Sequence, residues 1–333
     1  MVKLMDKIEP LRTFEQIKIL ADANRMAILR FLMAGPATLT QLGISMHEHP
    51  AWVRHHVKIL EATKLIEISE VRITAGVTEK FYKAKASALL LQELILPQSQ
   101  KPVIIFSGSH DTGLDHIAEQ LSRHVSILSL PVGSLDGLVN LRQGLCHVAG
   151  AHLLDVNGEY NAPFVRHLFP DRLVSMVTLA HRMQGLIVAP GNPKGIKSLA
   201  DLARIDVVFV NRNPGSGTRL WLDKELRRIN LPSDNIRGYQ NIVQTHSLAA
   251  QSVLNGQADV VIGIQAAAWE AQLDFIELFE ERYDLIIPAE QAQLVNPLLD
   301  HLQTGSFRRQ LNSLTGYNTA HSGEQISLLE NHA

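Results

Sequence analysis

FVNRNPGSGTR, residues 209–219, is the stretch that decides the fold of the C-terminal two thirds of the chain. The apolar, β-branched residues Val207, Val208, Phe209 and Val210 read as a strand. A turn rich in Gly, Pro and Ser follows, and an amphipathic helix begins near Gly217 and Thr218. The order is strand, loop, helix N-terminus. The first amides of a helix have no intrahelical partner, and the helix dipole adds partial positive charge there. Gly215 and Gly217 permit close backbone approach, Ser216 and Thr218 bring hydroxyls, and Arg212 and Arg219 bring charge-assisted donors. Such a loop can hold a small anion. It can equally be an ordinary strand-to-helix connection capped by Ser or Thr, and on this stretch alone both readings stand.

Working outward, strands and helices alternate from Val103 onward. VIIF (103–106), SILSLP (126–131), HVAGAHL (147–153), LIVAP (186–190) and DVVIGI (259–264) are the other strand-like runs. Alternation of this kind predicts an α/β fold with parallel strands. Several of the runs end in small or hydroxylated residues: Ser107-Gly108-Ser109-His110, Val132-Gly133-Ser134 and Gly150-Ala151-His152. Ligands of open α/β sheets bind at strand C-termini, so these loops predict a shared crevice. Thr245 and His246 open a further helix and either cap it or touch ligand.

Before residue 97 the pattern is different. Residues 14–34 carry apolar side chains at helical spacing and stop at Gly35-Pro36. Thr38 caps the short helix TLTQLGISM, HEHP makes a turn, and Pro50 suits the first turn of the next helix. That helix, AWVRHHVKILEATKLIEI, sets Val53, Val57, Leu60 and Leu65 on one stripe, with Arg54, His55, His56 and Lys58 off it. IEISEVRI (66–73), a turn at Ala75-Gly76, and TEKFYKA (78–84) predict a β-hairpin wing. Two helices joined by a short turn, the second one basic, form a helix-turn-helix arrangement. PQSQKP (97–102) reads as a polar, Pro-bounded linker, and the residues from about His321 as a polar, frayed end.

Bulk composition narrows the classes. A length of 333 residues predicts two domains or more, and 46% hydrophobic residues suffice for full cores. The single cysteine, Cys146, rules out an internal disulfide and fits a reducing compartment. MVKLMDKIEP lacks the apolar core of a signal peptide, and no apolar run nears the roughly 20 residues of a membrane span. The expectation is a cytoplasmic protein without membrane contact. Residues 1–101 hold 14 Lys+Arg against 10 Asp+Glu, a balance of +4, whereas 102–333 hold 17 against 23, a balance of −6. A mildly basic head on an acidic body suits DNA contact by the head, although scattered surface charge can produce the same split.

LADANRMAILRFL, GPATLTQLG, HPAWVRHHVKILEATKLIEI and GVTEKFYKA, in that order, resemble an ArsR-like winged helix over about residues 12–96. The resemblance implies a homodimer on a palindromic DNA operator, with Thr38, Trp52, Arg54, His55, His56 and Lys58 at the DNA-binding surface. Many members of that family sense metals. Here His47, His49, His55 and His56 come without a cysteine, and adjacent His55 and His56 point about 100° apart on a helix, so no metal site is expected.

RMQGLIVAPGNPKGI, FVNRNPGSGTR and HSLAAQSVLNGQADVVIGI resemble the two-lobed, type II periplasmic-binding-protein superfamily over about residues 103–317. The likeness is to the cytoplasmic module that is fused to DNA-binding domains or to molybdopterin-synthesis proteins, and the SGT loop is similar to that of tungstate-binding proteins. The expected fold is therefore multidomain: an α+β winged helix-turn-helix at 1–96, a linker at 97–102, and a two-lobed α/β ligand-sensing domain at 103–320. Lobe I would comprise about 103–181 and 282–318 and lobe II about 182–281, with hinges near 180–184 and 264–287. Ser107, Ser109, Ser134, Arg182, Arg212, Ser216, Gly217, Thr218 and Arg219 would face the cleft. The implied protein is a one-component transcriptional regulator, without cofactor, whose effector is a small anion. Molybdate or tungstate suits Ser- and Gly-rich loops; three arginines also suit an organic carboxylate, a sulfonate or a phosphorylated metabolite. An enzyme acting on a small anionic substrate is the remaining class. No GxSxG, HExxH, Walker or GxGxxG motif supports it, and no catalytic residue is assigned.

Overall fold

A computed structural model describes residues 8–11, 14–74, 77–91, 94–326 and 328. The chain divides into two compact units, residues 1–95 and 96–333.

In the first unit, strand β1 (Ile8–Leu11) is followed by helices α1 (Phe14–Leu20), α2 (Ala23–Ala34), α3 (Leu39–Met46) and α4 (Pro50–Ala62). Strands β2 (Ile66–Thr74), β3 (Val77–Ala84) and β4 (Ala88–Leu91) complete it. Local sequence explains the helix ends. Asp22 caps α2 by accepting from the amides of Asn24 and Arg25 at 3.0 and 2.9 Å. Thr38 and Gln41 form a reciprocal capping box on α3. His47 ends α3 in the left-handed conformation, and Pro50 occupies the first turn of α4. Ile28, Leu29, Leu32, Leu42, Val53, Val57 and Leu60 form the core, closed on one side by the antiparallel β2–β3 hairpin through Ile66 and Tyr82. The expected turn at Ala75-Gly76 lies outside the described residues. The parallel pairing of β1 with β4 has no local signature in either segment, and the sequence reading lacks it. His56 is a correction. It stands three residues after Val53, one helical turn along the same face, and is buried with the core rather than off it.

The second unit begins with the parallel strands β5 (Val103–Gly108), β6 (Ser126–Pro131) and β7 (Val148–Ala151), interleaved with α5 (Thr112–Leu121) and α6 (Ser134–Gln143). Helix α7 (Ala162–Leu168) leads to the long strand β8 (Val174–Val188). Next come β9 (Phe209–Arg212), α8 (Gly217–Arg228), β10 (Ile242–Val243), α9 (His246–Leu254), β11 (Val260–Ile264) and α10 (Gln265–Glu270). A second long strand, β12 (Asp274–Pro288), then precedes α11 (Ala292–Leu302), α12 (Gly305–Ser313) and the short β13 (Tyr317–Asn318) and β14 (Gln325–Ile326). The strand order is β10-β9-β11-β8-β12-β7-β5-β6.

This is a two-lobed α/β domain in which the 15-residue strands β8 and β12, antiparallel to each other, serve both lobes. Their residues 174–180 and 284–288 join β7, β5 and β6 in one lobe, while 184–188 and 274–277 join β11 and β9 in the other. The expected hinge at 180–184 is thus the middle of a continuous strand, flanked by shifts in its register with β12 at Glu277/Phe279 and Tyr283/Asp284. Each lobe has its own apolar packing: Leu138, Leu141, Val165 and Met176 in the first, Leu186, Val207, Phe209, Leu222 and Leu226 in the second. The end of the domain is not frayed at His321, because Ser322 is buried and β14 pairs with β8. Among the described residues no helix is long and apolar enough to cross a membrane.

Candidate functional site

Strand β8 reads VSMVTLAHRMQGLIV, and its only interior polar side chains at i, i+2 spacing past the crossing point are Arg182 and Gln184. Both are completely buried. Arg182 is opposite Glu281 of β12 in the strand register, and its Nη2 donates to Glu281 Oε1. Its Nη1 donates to Asp111 Oδ2 at 2.7 Å, and the guanidinium lies 4.1 Å over the Tyr283 ring. Asp111 also caps α5 through the Leu114 amide and accepts from Tyr317 Oη at 2.6 Å. Burial opposes the charge on Arg182, but Glu281 and Asp111 outweigh it and hold the group above its ordinary value. Arg182 is therefore a structural cation with two carboxylate partners.

From the first lobe a second line of polar groups reaches Glu281. His152, just past β7, places Nδ1 2.5 Å from Glu281 Oε2 and Nε2 3.0 Å from Ser109 Oγ. Ser109 Oγ is 3.0 Å from Ser134 Oγ, which accepts from the His152 amide. Burial pulls His152 below the usual imidazole range despite the neighbouring carboxylate. Facing an acceptor-only carboxylate, Nδ1 carries the proton of the neutral ring, so Nε2 accepts from Ser109. Burial raises the Glu281 carboxyl, yet Arg182 and His152 overcome it and hold the group down to about 2.

The second lobe contributes the N-terminus of α8 and the end of β9. Ser216 caps α8 by accepting from the Arg219 amide, and Thr218 Oγ1 accepts from Gln184 Nε2 at 3.2 Å. Arg212, the last residue of β9, is 2% exposed. It donates from Nη1 to His246 Nδ1 at 2.8 Å and from Nη2 to the Gln244 carbonyl at 2.7 Å. Its Nε has no partner, and no carboxylate stands within ion-pair distance of it among the described residues. Burial, helped by the charge of Arg182, pulls Arg212 down to about 9. His246, also buried, lies well below the ordinary imidazole value because of desolvation and the charge of Arg212.

The lobes meet at these loops. Asn213 Nδ2 donates to the Val132 carbonyl at 2.7 Å, and the Leu135 amide donates to the Gly215 carbonyl at 3.1 Å. Of the residues expected at the cleft, Ser109, Ser134, Arg182, Arg212, Ser216, Gly217 and Thr218 come together in this network. The side chain of Ser107 stands apart from it, and that of Arg219 touches it only through the Arg212 carbonyl at 3.4 Å. Ser107 bonds to the Leu130 carbonyl and Asn140, and Arg219 pairs with Asp223 at 3.1 Å and stacks 4.0 Å over Tyr239. His152, from a loop expected at the crevice, joins the network, and Asp111, Gln184, Glu281 and Tyr283 belong to it without having been expected in it.

In the first unit, Arg54, His55 and Lys58 are exposed on α4. Trp52 is half-buried, its ring 4.3 Å from that of His56, and Thr38 is taken up by its cap. Among the described residues no group of three or more His, Cys, Asp or Glu could hold a metal ion.

A family model for the PBP superfamily domain matches residues 115–303. Uncharacterized protein YvgK of Bacillus subtilis (strain 168) is 34% identical over 229 residues, covering 68% of this chain and 74% of its own. Among solved structures, a putative phosphate ABC transporter substrate-binding protein from Clostridium perfringens, with bound phosphate, is 14% identical, with a TM-score of 0.46 over 63% of this chain and 97% of its own. The tungstate ABC transporter protein from Geobacter sulfurreducens gives the same identity and TM-score over 63% and 98%.

Proposed function

The chain belongs to the PBP superfamily, and from that premise we propose that it is a DNA-binding transcriptional regulator whose two-lobed domain senses a small anion. One observation carries the sensing half: Arg212 is a buried guanidinium that forms no ion pair with a carboxylate among the described residues. A buried charge without a counter-charge is costly, and an anion drawn into the cleft supplies what is missing. The amides at the start of α8 add donors of the same polarity. Ser109, Ser134, Arg212, Ser216, Gly217 and Thr218 form the proposed site, with Arg182 behind them as the cation that fixes Glu281 and Asp111. The class includes molybdate and tungstate as well as organic carboxylates, sulfonates and phosphorylated metabolites.

The regulatory half rests on the first unit. Helices α3 and α4, joined by a short turn and followed by the β2–β3 hairpin, support reading this unit as a winged helix-turn-helix. Exposed Arg54, His55 and Lys58 put positive charge and donors on the outer face of α4, and the whole segment carries a positive balance. On this reading the protein acts as a homodimer on a double-stranded operator, in the compartment that holds the DNA. Anion binding changes operator affinity because the ligand favours one lobe arrangement over another. Calorimetric titration of the full chain with molybdate, tungstate, sulfate and phosphate, followed by operator binding with and without the tightest of them, tests both halves. Saturable anion binding that shifts operator affinity supports the proposal. Operator affinity unchanged at saturation refutes the regulatory half.

A second reading is carried by Ser109, His152 and Glu281, which have the connectivity of a nucleophile, a base and an orienting acid. It would make the cleft an acyl-transfer site for an anionic ester. Active-site labelling with a fluorophosphonate distinguishes it: labelling that is lost in Ser109→Ala would favour catalysis. The closed ring of hydrogen bonds through Ser109, Ser134 and His152 favours binding.

A further inference from the structure

The orphaned atoms of the cleft say more than that an anion fits. This inference rests on the anion-sensing reading above. Gln184 is completely buried, and its amide orientation is determined by its neighbours. Nε2 lies 2.9 Å from Glu281 Oε1 and 3.2 Å from Thr218 Oγ1. A flipped amide would set two acceptors, its own oxygen and the Glu281 carboxylate, against each other. The nitrogen therefore faces Glu281, and the carbonyl oxygen is left without a donor among the described residues.

The opposite polarity is left over beside Arg212. Its guanidinium has only donors, so His246 Nδ1, at 2.8 Å, accepts, and the ring proton sits on Nε2. His246 Nε2–H and Arg212 Nε–H are both buried without partners among the described residues. These groups stand at the same end of the second lobe's sheet. Gln184 is tied to Thr218 in the first turn of α8, and Arg212 ends the strand that leads into that turn. Arg212 and His246 stand on the side of β11 where a Cβ on Gly263 would lie 3.4 Å from His246 Nδ1, and Gln184 reaches the same strand ends from the α8 side.

We propose that the ligand is an anion that also carries a hydrogen-bond donor, a hydroxyl or an acid proton beside its anionic oxygens, and that Gln184 is the residue that selects for it. Arg212 and His246 take the anionic oxygens, and Gln184 Oε1 takes the donor. A site built around a buried acceptor penalises an analogue that lacks the matching donor, because the acceptor then stays desolvated and unpaired. Fully deprotonated tetrahedral oxyanions, molybdate and tungstate included, are on this account poor ligands.

The test uses two matched pairs of probes on the full chain at mildly alkaline pH: inorganic phosphate against sulfate, and glycolate against acetate. Each pair shares its anionic oxygens and differs by one donor. Titration calorimetry is expected to give the donor-bearing member about tenfold or more tighter binding in at least one pair. The pair that responds tells an acid proton from a hydroxyl. In Gln184→Met the gap is expected to close, with the affinity of the donor-free member little changed. The wild-type comparison needs no variant, so poor folding of Gln184→Met leaves the inference testable. Donor-free members binding as tightly in both pairs, molybdate or tungstate binding tighter than every donor-bearing probe, or a well-folded Gln184→Met that keeps the gap would overturn it. Absence of binding by any of these anions is a different failure, since it removes the anion-sensing reading itself.

Discussion

Gly217, the first residue of α8, sits directly against His152 of the opposite lobe: a Cβ added there would lie 2.5 Å from the ring Nδ1 and 2.5 Å from the His152 carbonyl oxygen. Neither a packed ring nor a backbone oxygen gives way cheaply. The backbone of Gly217 is not in the left-handed region, so alanine suits its conformation and its helix. Gly217→Ala therefore opposes lobe closure without straining α8. The expected outcome is an unchanged or slightly raised thermal midpoint together with anion affinity lowered about tenfold or more, read by calorimetry. Wild-type affinity in this variant would show that the lobes need not meet here to hold ligand.

The two buried arginines should answer differently to the same change. Arg182 is matched by Asp111 and Glu281, and removing one partner of a buried ion pair costs about 3–5 kcal/mol. Arg212 has no such partner among the described residues. Arg182→Met is expected to lower the unfolding free energy by roughly that amount, while Arg212→Met leaves it unchanged or raises it and loses anion binding. Denaturant titration of the two variants side by side checks this. A large loss of stability in Arg212→Met would mean that its bonds to His246 and Gln244 outweigh the cost of burying the charge.

How far this site can be read from the sequence depends on which side of the sheet a residue takes. The loop from Arg212 to Thr218 is legible, because strand, glycine-rich turn and capped helix are all local signals. Glu281 is not. It sits in FEERYDLIIP beside Glu280 and Arg282, a run that reads as a solvated face. Only the register with β8, set across roughly a hundred residues, turns Glu281 toward Arg182 and leaves exposed Glu280 with half-buried His181. The β1–β4 pairing is hidden for the same reason. Arg219 looked like a cleft residue by its place in the motif. One helical turn onward, however, Asp223 offers a partner at i+4 spacing and draws it away.

Stability should fall with pH in two stages. His152 and His246 lie below the ordinary imidazole value of 6.5 in the fold, so the unfolded chain binds their protons first. Stability is then lost as pH drops below that value. Glu281, held down to about 2 from 4.5, contributes stability that is complete above 4.5 and lost between there and about 2. Denaturant midpoints across this range should steepen below 4.5 in the wild type and lose the second stage in Glu281→Gln. Retention of that stage in the variant would assign it to other carboxylates.

Cys146 is buried, and desolvation pushes its thiol up to about 12. The thiolate is the reactive form, so the native protein should react slowly with a thiol reagent at neutral pH. Under denaturant one equivalent per chain should react at once, since Cys146 is the single cysteine. Rapid labelling of the native protein would show that the first lobe opens around α6 far more often than its packing suggests.

Arg54 and His56 are two residues apart on α4, yet they should fail in different ways if the proposed DNA-binding role is right. Arg54 is exposed, whereas His56 is buried, its ring 4.3 Å from that of Trp52 and near Asp22. A side chain that neutralises a phosphate releases a counterion, and its loss lowers the slope of log affinity against log salt by about one. Arg54→Ala should show that change in slope, together with weaker binding at every sequence tested and unaltered stability. His56→Ala should keep the slope and instead lose about 1–3 kcal/mol of stability through the void it leaves. Fluorescence anisotropy over a salt series, paired with denaturant unfolding of both variants, separates the two effects. An unchanged slope for Arg54→Ala would take this face of α4 off the DNA.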